Sequence, residues 1–203
     1  MIVIGGSAGG MKALRGVLAT LEGIGDRVVI VVLHRPPEYS PLAEVLQGYT
    51  DVPVQEPSSS PSECPPGTVT VAPAGYQLLV GRNRRLVTEP QTPIALYETG
   101  AGVRAHLSLD APVAYSRPSI DVTFISAAEN FDAVTAVLLS CANEDGAAGC
   151  AAVKAAGGRV VLQDPATCEA PTAVNAAMRR VTPDQVADPR GIGTWLSRSV
   201  RSG

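Results

Sequence analysis

Met1-Ile2-Val3-Ile4-Gly5-Gly6-Ser7-Ala8-Gly9-Gly10 decides how the rest of the chain is read. Four apolar residues with the β-branched content of a buried strand run into a glycine-rich bend. Met11, Leu14, Val17, Leu18 and Leu21 then follow at helical spacing. A bend of this kind between strand and helix has two uses. Its backbone N–H groups can approach a phosphate, or it can hold Ser7 on a sharp turn as a nucleophile. The dinucleotide fingerprint G-x-G-x-x-G requires glycine where Ser7 stands, and the P-loop requires a Gly-Lys-Ser/Thr that the stretch lacks. Gly5-Gly6-Ser7-Ala8-Gly9 does satisfy G-x-S-x-G. A nucleotide-binding module is left as the remote alternative.

Outward from this stretch, strands alternate with helices. Residues 27–33 (RVVIVVL) form a continuous β-branched run, as expected of a parallel strand covered on both faces. A helix is predicted over about 41–47, with Pro41 in its first turn and Ser40 as N-cap. Further helices are predicted over 120–130, 147–156 and 172–180, with a last one carrying Trp195. Strands are predicted over 133–140, 159–164 and 185–187. In the middle, 52–67 is rich in proline and serine and reads as loop or edge strand. Residues 68–73 and 76–90 read as short antiparallel pieces, with a tight turn at Gly81-Arg82-Asn83. Residues 95–118 show no sustained period and read as a surface excursion. The predicted fold is α/β: a doubly wound, mostly parallel sheet with helices on both faces and a small antiparallel hairpin insertion at about 52–118. The 203 residues make one domain, 1–203, large enough to bury about 70% of the unfolded chain's surface.

Composition removes several function classes. The 45% hydrophobic and 17% charged content is that of a globular protein, and a net charge of −3 gives no electrostatic footprint for nucleic acid or an anionic membrane. No apolar run approaches the roughly 20 residues that span a bilayer, and residues 1–4 are too few for a signal peptide. Cys64, Cys141, Cys150 and Cys168 have no C-x-x-C spacing, and the chain has two histidines, so neither a metal nor another cofactor is expected. Scattered cysteines without a secretion signal fit a reducing cytoplasm, as small buried apolar residues.

In doubly wound sheets, sites lie just beyond the carboxyl ends of the strands. Ser7, His34 and Asp145 follow three predicted strands there. Nucleophile, base and orienting carboxylate are the parts of serine hydrolysis: serine is a weak nucleophile until an imidazole takes its proton, and a carboxylate fixes the imidazole tautomer. Taken singly, His34 reads equally well as a strand end, and Asp145 before Gly146-Ala147 more often as the N-cap of its own helix. Their coincidence at one sheet edge favours catalysis. His106 is the other histidine and lies in the irregular excursion, while Glu144 offers a second carboxylate beside Asp145. The α/β-hydrolase order of Ser, acid, His does not fit, because no histidine follows His106. A histidine of ordinary pKa in the base role would lose activity below about pH 6.

The chain resembles the catalytic domain of the chemotaxis receptor methylesterases, the CheB-type protein-glutamate methylesterases. The resemblance runs from Ile2 to about Val200 and rests on six stretches in the family's order: IGGSAGG, LHRPPEY, PPGTVTVAPAGYQL, SRPSIDVTFISAA, NEDGAAGCAAVKAAGG and QDPATC. It implies a serine esterase that hydrolyses glutamate γ-methyl esters on the cytoplasmic helices of chemoreceptors and releases methanol. Deamidation of particular receptor glutamines is a second activity common in the family. Carried over by position, Ser7 is the nucleophile, His34 the base and then acid, and Asp145 the orienting carboxylate. The backbone amides of Ala8 and of Ala142 are the oxyanion donors. Where the family has Thr-Gly-Met-Gly before its aspartate, this chain has Ser140-Cys141-Ala142-Asn143-Glu144. If those glycines supply positive φ, Cys141 fits poorly and Asn143 better. A non-catalytic scaffold or binding protein with the same fold is therefore the main alternative. Regulated members carry an N-terminal phosphoacceptor receiver domain, and this sequence opens on the catalytic strand. An excised domain served by a receiver in cis or trans, and a domain acting without one, both stay open.

Overall fold

A computed structural model describes residues 1–38, 40–87 and 95–200. Seven parallel strands form the main sheet in the order β10-β9-β8-β1-β2-β5-β3. They are β1 (Ile2–Gly6), β2 (Val29–Leu33), β3 (Val54–Gln55), β5 (Val69–Val71), β8 (Thr135–Leu138), β9 (Arg159–Gln163) and β10 (Gln185–Ala187). The central strands are buried throughout because both faces are covered, which is why they read as unbroken apolar runs. Their side chains divide by alternation. Ile2, Ile4, Val29 and Val31 pack with α1 (Gly10–Leu18), α2 (Leu42–Gln47) and α6 (Pro189–Val200). Val3, Ile30 and Val32 pack on the other face with α3 (Ile120–Asn130), α4 (Ala147–Ala155) and α5 (Thr172–Arg180).

The insertion is a three-stranded antiparallel sheet of β4 (Ser62–Cys64), β7 (Ala95–Ser108) and β6 (Gln77–Val87), in the order β4-β7-β6. It is fastened to α3. Leu78 and Val80 sit in the core with Phe124. Thr123 Oγ1 donates to Leu78 O at 2.7 Å, and Ser126 Oγ accepts from Val80 N at 2.9 Å. These hydroxyls satisfy backbone groups at the β6 edge that would otherwise be buried without partners.

Four expectations are corrected. Residues 68–73 are not an antiparallel piece of the insertion, because they hold β5, parallel between β2 and β3 in the main sheet. There is no turn at Gly81-Arg82-Asn83: β6 runs through it, with only a shift of register between Arg82 and Arg84. The end of the expected antiparallel piece, 88–90, lies outside the described residues. The supposed excursion begins as a fourteen-residue strand, β7. Ser40 does not cap α2, whose N-cap is Pro41 without a side-chain bond; its hydroxyl instead accepts from Arg35 Nη1 at 3.2 Å.

Candidate active site

The opening glycines are explained by close approach. A Cβ on Gly5 would fall on Ile120, and one on Gly10 would come within 3.2 Å of Ser140 O. Gly9 has φ +73°, in the left-handed region, with Glu169 Cβ and Ser140 Oγ 2.5 and 2.8 Å from where a side chain would start. The bend therefore packs tightly between α3 and the end of β8, and Ser7 is its polar member. Ser7 N donates to Ser140 O at 2.9 Å, and Ser140 Oγ donates to Ala8 O at 2.7 Å, so two bonds pin the bend to the neighbouring strand end. Among the described residues, Ser7 Oγ makes no hydrogen bond.

His34 follows β2 as Ser7 follows β1. Gly6 pairs with Leu33 in the parallel register, and His34 N donates to Gly6 O at 3.1 Å, so residues 7 and 34 are successors on adjacent strands. The imidazole is engaged at both nitrogens: Nε2 is 2.7 Å from Asp145 Oδ2 and Nδ1 is 3.1 Å from Ser116 Oγ. His106 is exposed on β7 opposite Leu79 and is not the partner. Glu144 points away, 3.0 Å from Arg179 Nη2, which settles that Asp145 is the carboxylate facing His34.

Asp145 is not the cap of its own helix. The N-cap of α4 is Gly146, with φ +98° and no side-chain bond. The Asp145 carboxylate instead lies at the N-terminus of α3. Its Oδ1 accepts from Ser119 Oγ and Asp121 N, both at 2.9 Å, and its Oδ2 accepts from Ile120 N at 2.8 Å besides His34. In return, Asp121 Oδ1 accepts from Gly146 N and Gly149 N, at 2.9 and 2.6 Å, at the start of α4. Each helix N-terminus thus receives a carboxylate from the other, where the backbone N–H groups and the helix dipole favour negative charge.

These contacts set the titration of the pair. Burial alone would raise the Asp145 carboxyl, but the bonds from His34 and from the Asp121 and Ile120 amides hold it below its ordinary value. Burial alone would lower His34; the hydrogen bond and charge of Asp145, with the sulfur of Cys141 beside the ring, outweigh it and raise the imidazole from 6.5 to about 9.

The loop that departs from the family pattern follows a path open to ordinary residues. Ala114 and Tyr115 are the positive-φ non-glycine residues among those described, so neither Cys141 nor Asn143 is left-handed. Asn143 Oδ1 accepts from Asp145 N at 3.2 Å and from Cys141 Sγ at 3.0 Å, closing the loop through its side chain. The amides of Ala8 and Ala142 have no intramolecular acceptor among the described residues; Ala8 follows Ser7, and Ala142 lies two residues beyond Ser140, whose carbonyl accepts from Ser7 N. Beside the imidazole opens a cleft of about 430 Å³, lined by His34, Pro36, Pro37, Pro112, Tyr115 and Ser116.

Sequence reasoning found the three strand-end residues but missed Ser116, Ser119, Asp121 and Gln77. Buried Gln77 accepts from Ser119 N at 2.8 Å and donates to Ala111 O at 3.1 Å, tying the start of α3 to the loop that carries Ser116. Ser119 and Asp121 carried a signal, Ser-x-Asp at a helix start, but it reads as local capping rather than as the seat of a distant carboxylate.

A model of the CheB methylesterase family matches residues 2–196. A putative protein-glutamate methylesterase/protein-glutamine glutaminase of Leptospira interrogans serogroup Icterohaemorrhagiae serovar copenhageni is 32% identical over 187 residues, 91% of this chain and 86% of that protein. A protein-glutamate methylesterase/protein-glutamine glutaminase of Paraburkholderia xenovorans is 34% identical over 170 residues, 83% of this chain but 42% of the relative. The chain thus spans most of the first relative's length and less than half of the second's. The crystal structure of the Thermotoga maritima CheB methylesterase catalytic domain superposes with a TM-score of 0.82 at 26% identity, over 98% of this chain and 97% of that one. With the match covering nearly its whole length, the chain belongs to the CheB methylesterase family.

Proposed function

We propose that this protein is a serine esterase that hydrolyses glutamate γ-methyl esters on other proteins, the substrates being chemoreceptor cytoplasmic helices. The observation that carries this reading is the His34–Asp145 bond. It commits Nε2 to the carboxylate and leaves the Nδ1 lone pair as the base, at the strand end next to Ser7. Ser7 Oγ attacks the ester carbonyl carbon while its proton passes to Nδ1. The tetrahedral oxyanion is met by the amides of Ala8 and Ala142. Nδ1–H then protonates the departing methoxide, which leaves as methanol. A water molecule, deprotonated in turn by Nδ1, releases the glutamate and restores Ser7. With a glutamine side chain the same steps expel ammonia, the glutaminase activity named for the relatives. The open cleft, with fully exposed Tyr115 at its rim, suits a side chain presented on another protein's surface.

Among the described residues no helix is long and apolar enough to cross a membrane. We place the enzyme in the cytoplasm, as one catalytic domain that acts either with a receiver domain in cis or in trans or without one. The test is methanol release from a methyl-esterified chemoreceptor fragment. Release supports the esterase; a folded chain that binds the fragment and releases none is the scaffold of the alternative reading.

The raised imidazole moves the expected pH profile. Below about pH 9 the base nitrogen is increasingly protonated, so acylation should fall about tenfold per unit of pH rather than hold down to pH 6. Stability runs the opposite way. The contribution of His34 is fully present below its unfolded value near 6.5 and is lost as pH rises through about 9, amounting to at most about 3 kcal/mol. Acylation rates and denaturant midpoints measured together from pH 5 to 10 check both signs. A rate plateau already reached at pH 7 would refute the raised imidazole.

A further inference from the structure

Asp145 fixes which imidazole nitrogen is the base, and a hydroxyl other than Ser7 already occupies it. With Asp145 ionised, Oδ2 accepts the Nε2–H at 2.7 Å and the neutral ring keeps one lone pair, on Nδ1. Ser116 Oγ, 3.1 Å from Nδ1, is the hydrogen-bond partner of that nitrogen, accepting from Nδ1–H on the protonated ring and donating to the lone pair on the neutral one, while Ser7 Oγ has no hydrogen bond among the described residues. One in-plane lone pair takes one strong hydrogen bond, so the two hydroxyls compete for it.

Ser116 is held in this position at some cost. Val113 and Ser116 exchange both backbone hydrogen bonds, at 3.1 and 2.8 Å, around Ala114 and Tyr115 with φ of 48° and 65°. Consecutive left-handed residues make a type I′ turn, which glycine and asparagine adopt readily and alanine and tyrosine do not. The turn is secured from two sides: Asn143 Nδ2 donates to Ala114 O at 3.2 Å, and Gln77 Nε2 to Ser116 O at 3.4 Å. A second acceptor for the Ser116 hydroxyl, Ala114 O, lies 3.5 Å away. Turning the O–H toward that carbonyl releases Nδ1 without any movement of the backbone.

We propose that Ser116 is a positioning residue that occupies the base nitrogen of His34 in the resting enzyme, and that Ser7 is activated only when this hydroxyl is turned aside. The proposal rests on the assignment of Ser7, His34 and Asp145 made above. It is chain chemistry rather than fold: the same turn with alanine at 116 would leave Nδ1 free for Ser7, with the titratable groups at the ring, Asp145 and Cys141, unchanged.

The experiment uses the full chain and a serine-reactive alkyl phosphonate, with the labelled residue located by peptide mass spectrometry and the labelling rate followed from pH 6 to 10. The wild type should label at Ser7, and Ser7→Ala should not label. Ser116→Ala should label Ser7 about three- to tenfold faster, the effect of one neutral hydrogen bond. Its acid limb should shift, because Nδ1 has lost the hydroxyl that partners it in both protonation states. Ser116→Thr keeps the hydroxyl and should stay near the wild-type rate; Ser116→Gly replaces the alanine variant if alanine disturbs the turn. A properly folded Ser116→Ala that labels no faster than wild type, with an unshifted acid limb, overturns the proposal alone. Phosphonate found on Ser116, or none on Ser7, overturns the nucleophile assignment as well.

Discussion

Ser7→Ala should lower ester turnover by at least about 10³-fold, and by up to about 10⁶-fold if the remaining machinery acts as one unit, while leaving the fold as stable as before. The two halves of this expectation have separate grounds. Without the hydroxyl there is no acyl-enzyme, and the residual rate comes only from binding and from the oxyanion amides acting on a water attack. The fold is indifferent because Ser7 Oγ has no hydrogen bond among the described residues. Ser7 is held through its backbone instead, by Ser7 N to Ser140 O and Gly10 N to Ser7 O at 2.9 and 2.7 Å. Removing an unpartnered, half-buried hydroxyl belongs with substitutions that move stability by less than about 0.5 kcal/mol. Methanol release and a denaturant melt on the same preparation check both halves. Turnover within tenfold of wild type would show that another group attacks the ester, and Ser116 would be the first to examine.

The parts of this site that the sequence declared are those written in long, uniform patterns. β1, β2, β8 and β9 are covered on both faces, so they are unbroken apolar runs, and the residue after each run stands at the sheet edge by rule. Ser7 and His34 were legible for that reason, and Asp145 as the carboxylate in the loop that follows β8. The antiparallel sheet was harder because it is half-solvated, and its strands mix arginines with apolar residues. In β7 the signal was present but short: Val103, Ala105 and Leu107 face the core while Arg104, His106 and Ser108 alternate with them. In β6 the glycine at 81 suggested a turn, yet the backbone there stays extended. Ser116, Ser119 and Gln77 were illegible for a different reason. They act on His34 and Asp145 from segments far along the chain, and no local pattern encodes such a meeting. The loop at 140–144 looked damaged by its lost glycines, but Asn143 closes it by side-chain bonds that substitute for backbone freedom.

Asp145→Asn should cost both turnover and stability, in contrast to Ser7→Ala, because the carboxylate takes four donors with its two oxygens. Oδ1 serves Ser119 Oγ and Asp121 N; Oδ2 serves Ile120 N and His34 Nε2. An asparagine has one oxygen, so its amide nitrogen must face one of these pairs. If it replaces Oδ1, the Ser119 hydroxyl can turn to accept, but the Asp121 amide is left buried without an acceptor. If it replaces Oδ2, the Ile120 amide is stranded and Nε2 must present its lone pair. The ring proton then moves to Nδ1, and no base faces Ser7. The first arrangement keeps the tautomer but removes the negative charge that stabilises the imidazolium. Either way turnover should drop about 10³- to 10⁴-fold, the loss seen when a triad carboxylate is neutralised with its shape retained. One orphaned buried amide and a lost charged acceptor at the α3 N-terminus should together destabilise the fold by about 2–4 kcal/mol. The decisive comparison sets Asp145→Asn beside Ser119→Ala, which removes the donor to Oδ1 and the N-cap acceptor of Val122 N but no charge. Ser119→Ala should lose about 1 kcal/mol and keep turnover within about tenfold. If Asp145→Asn cost no more stability than Ser119→Ala, the exchange of carboxylates between α3 and α4 would not be holding the site together.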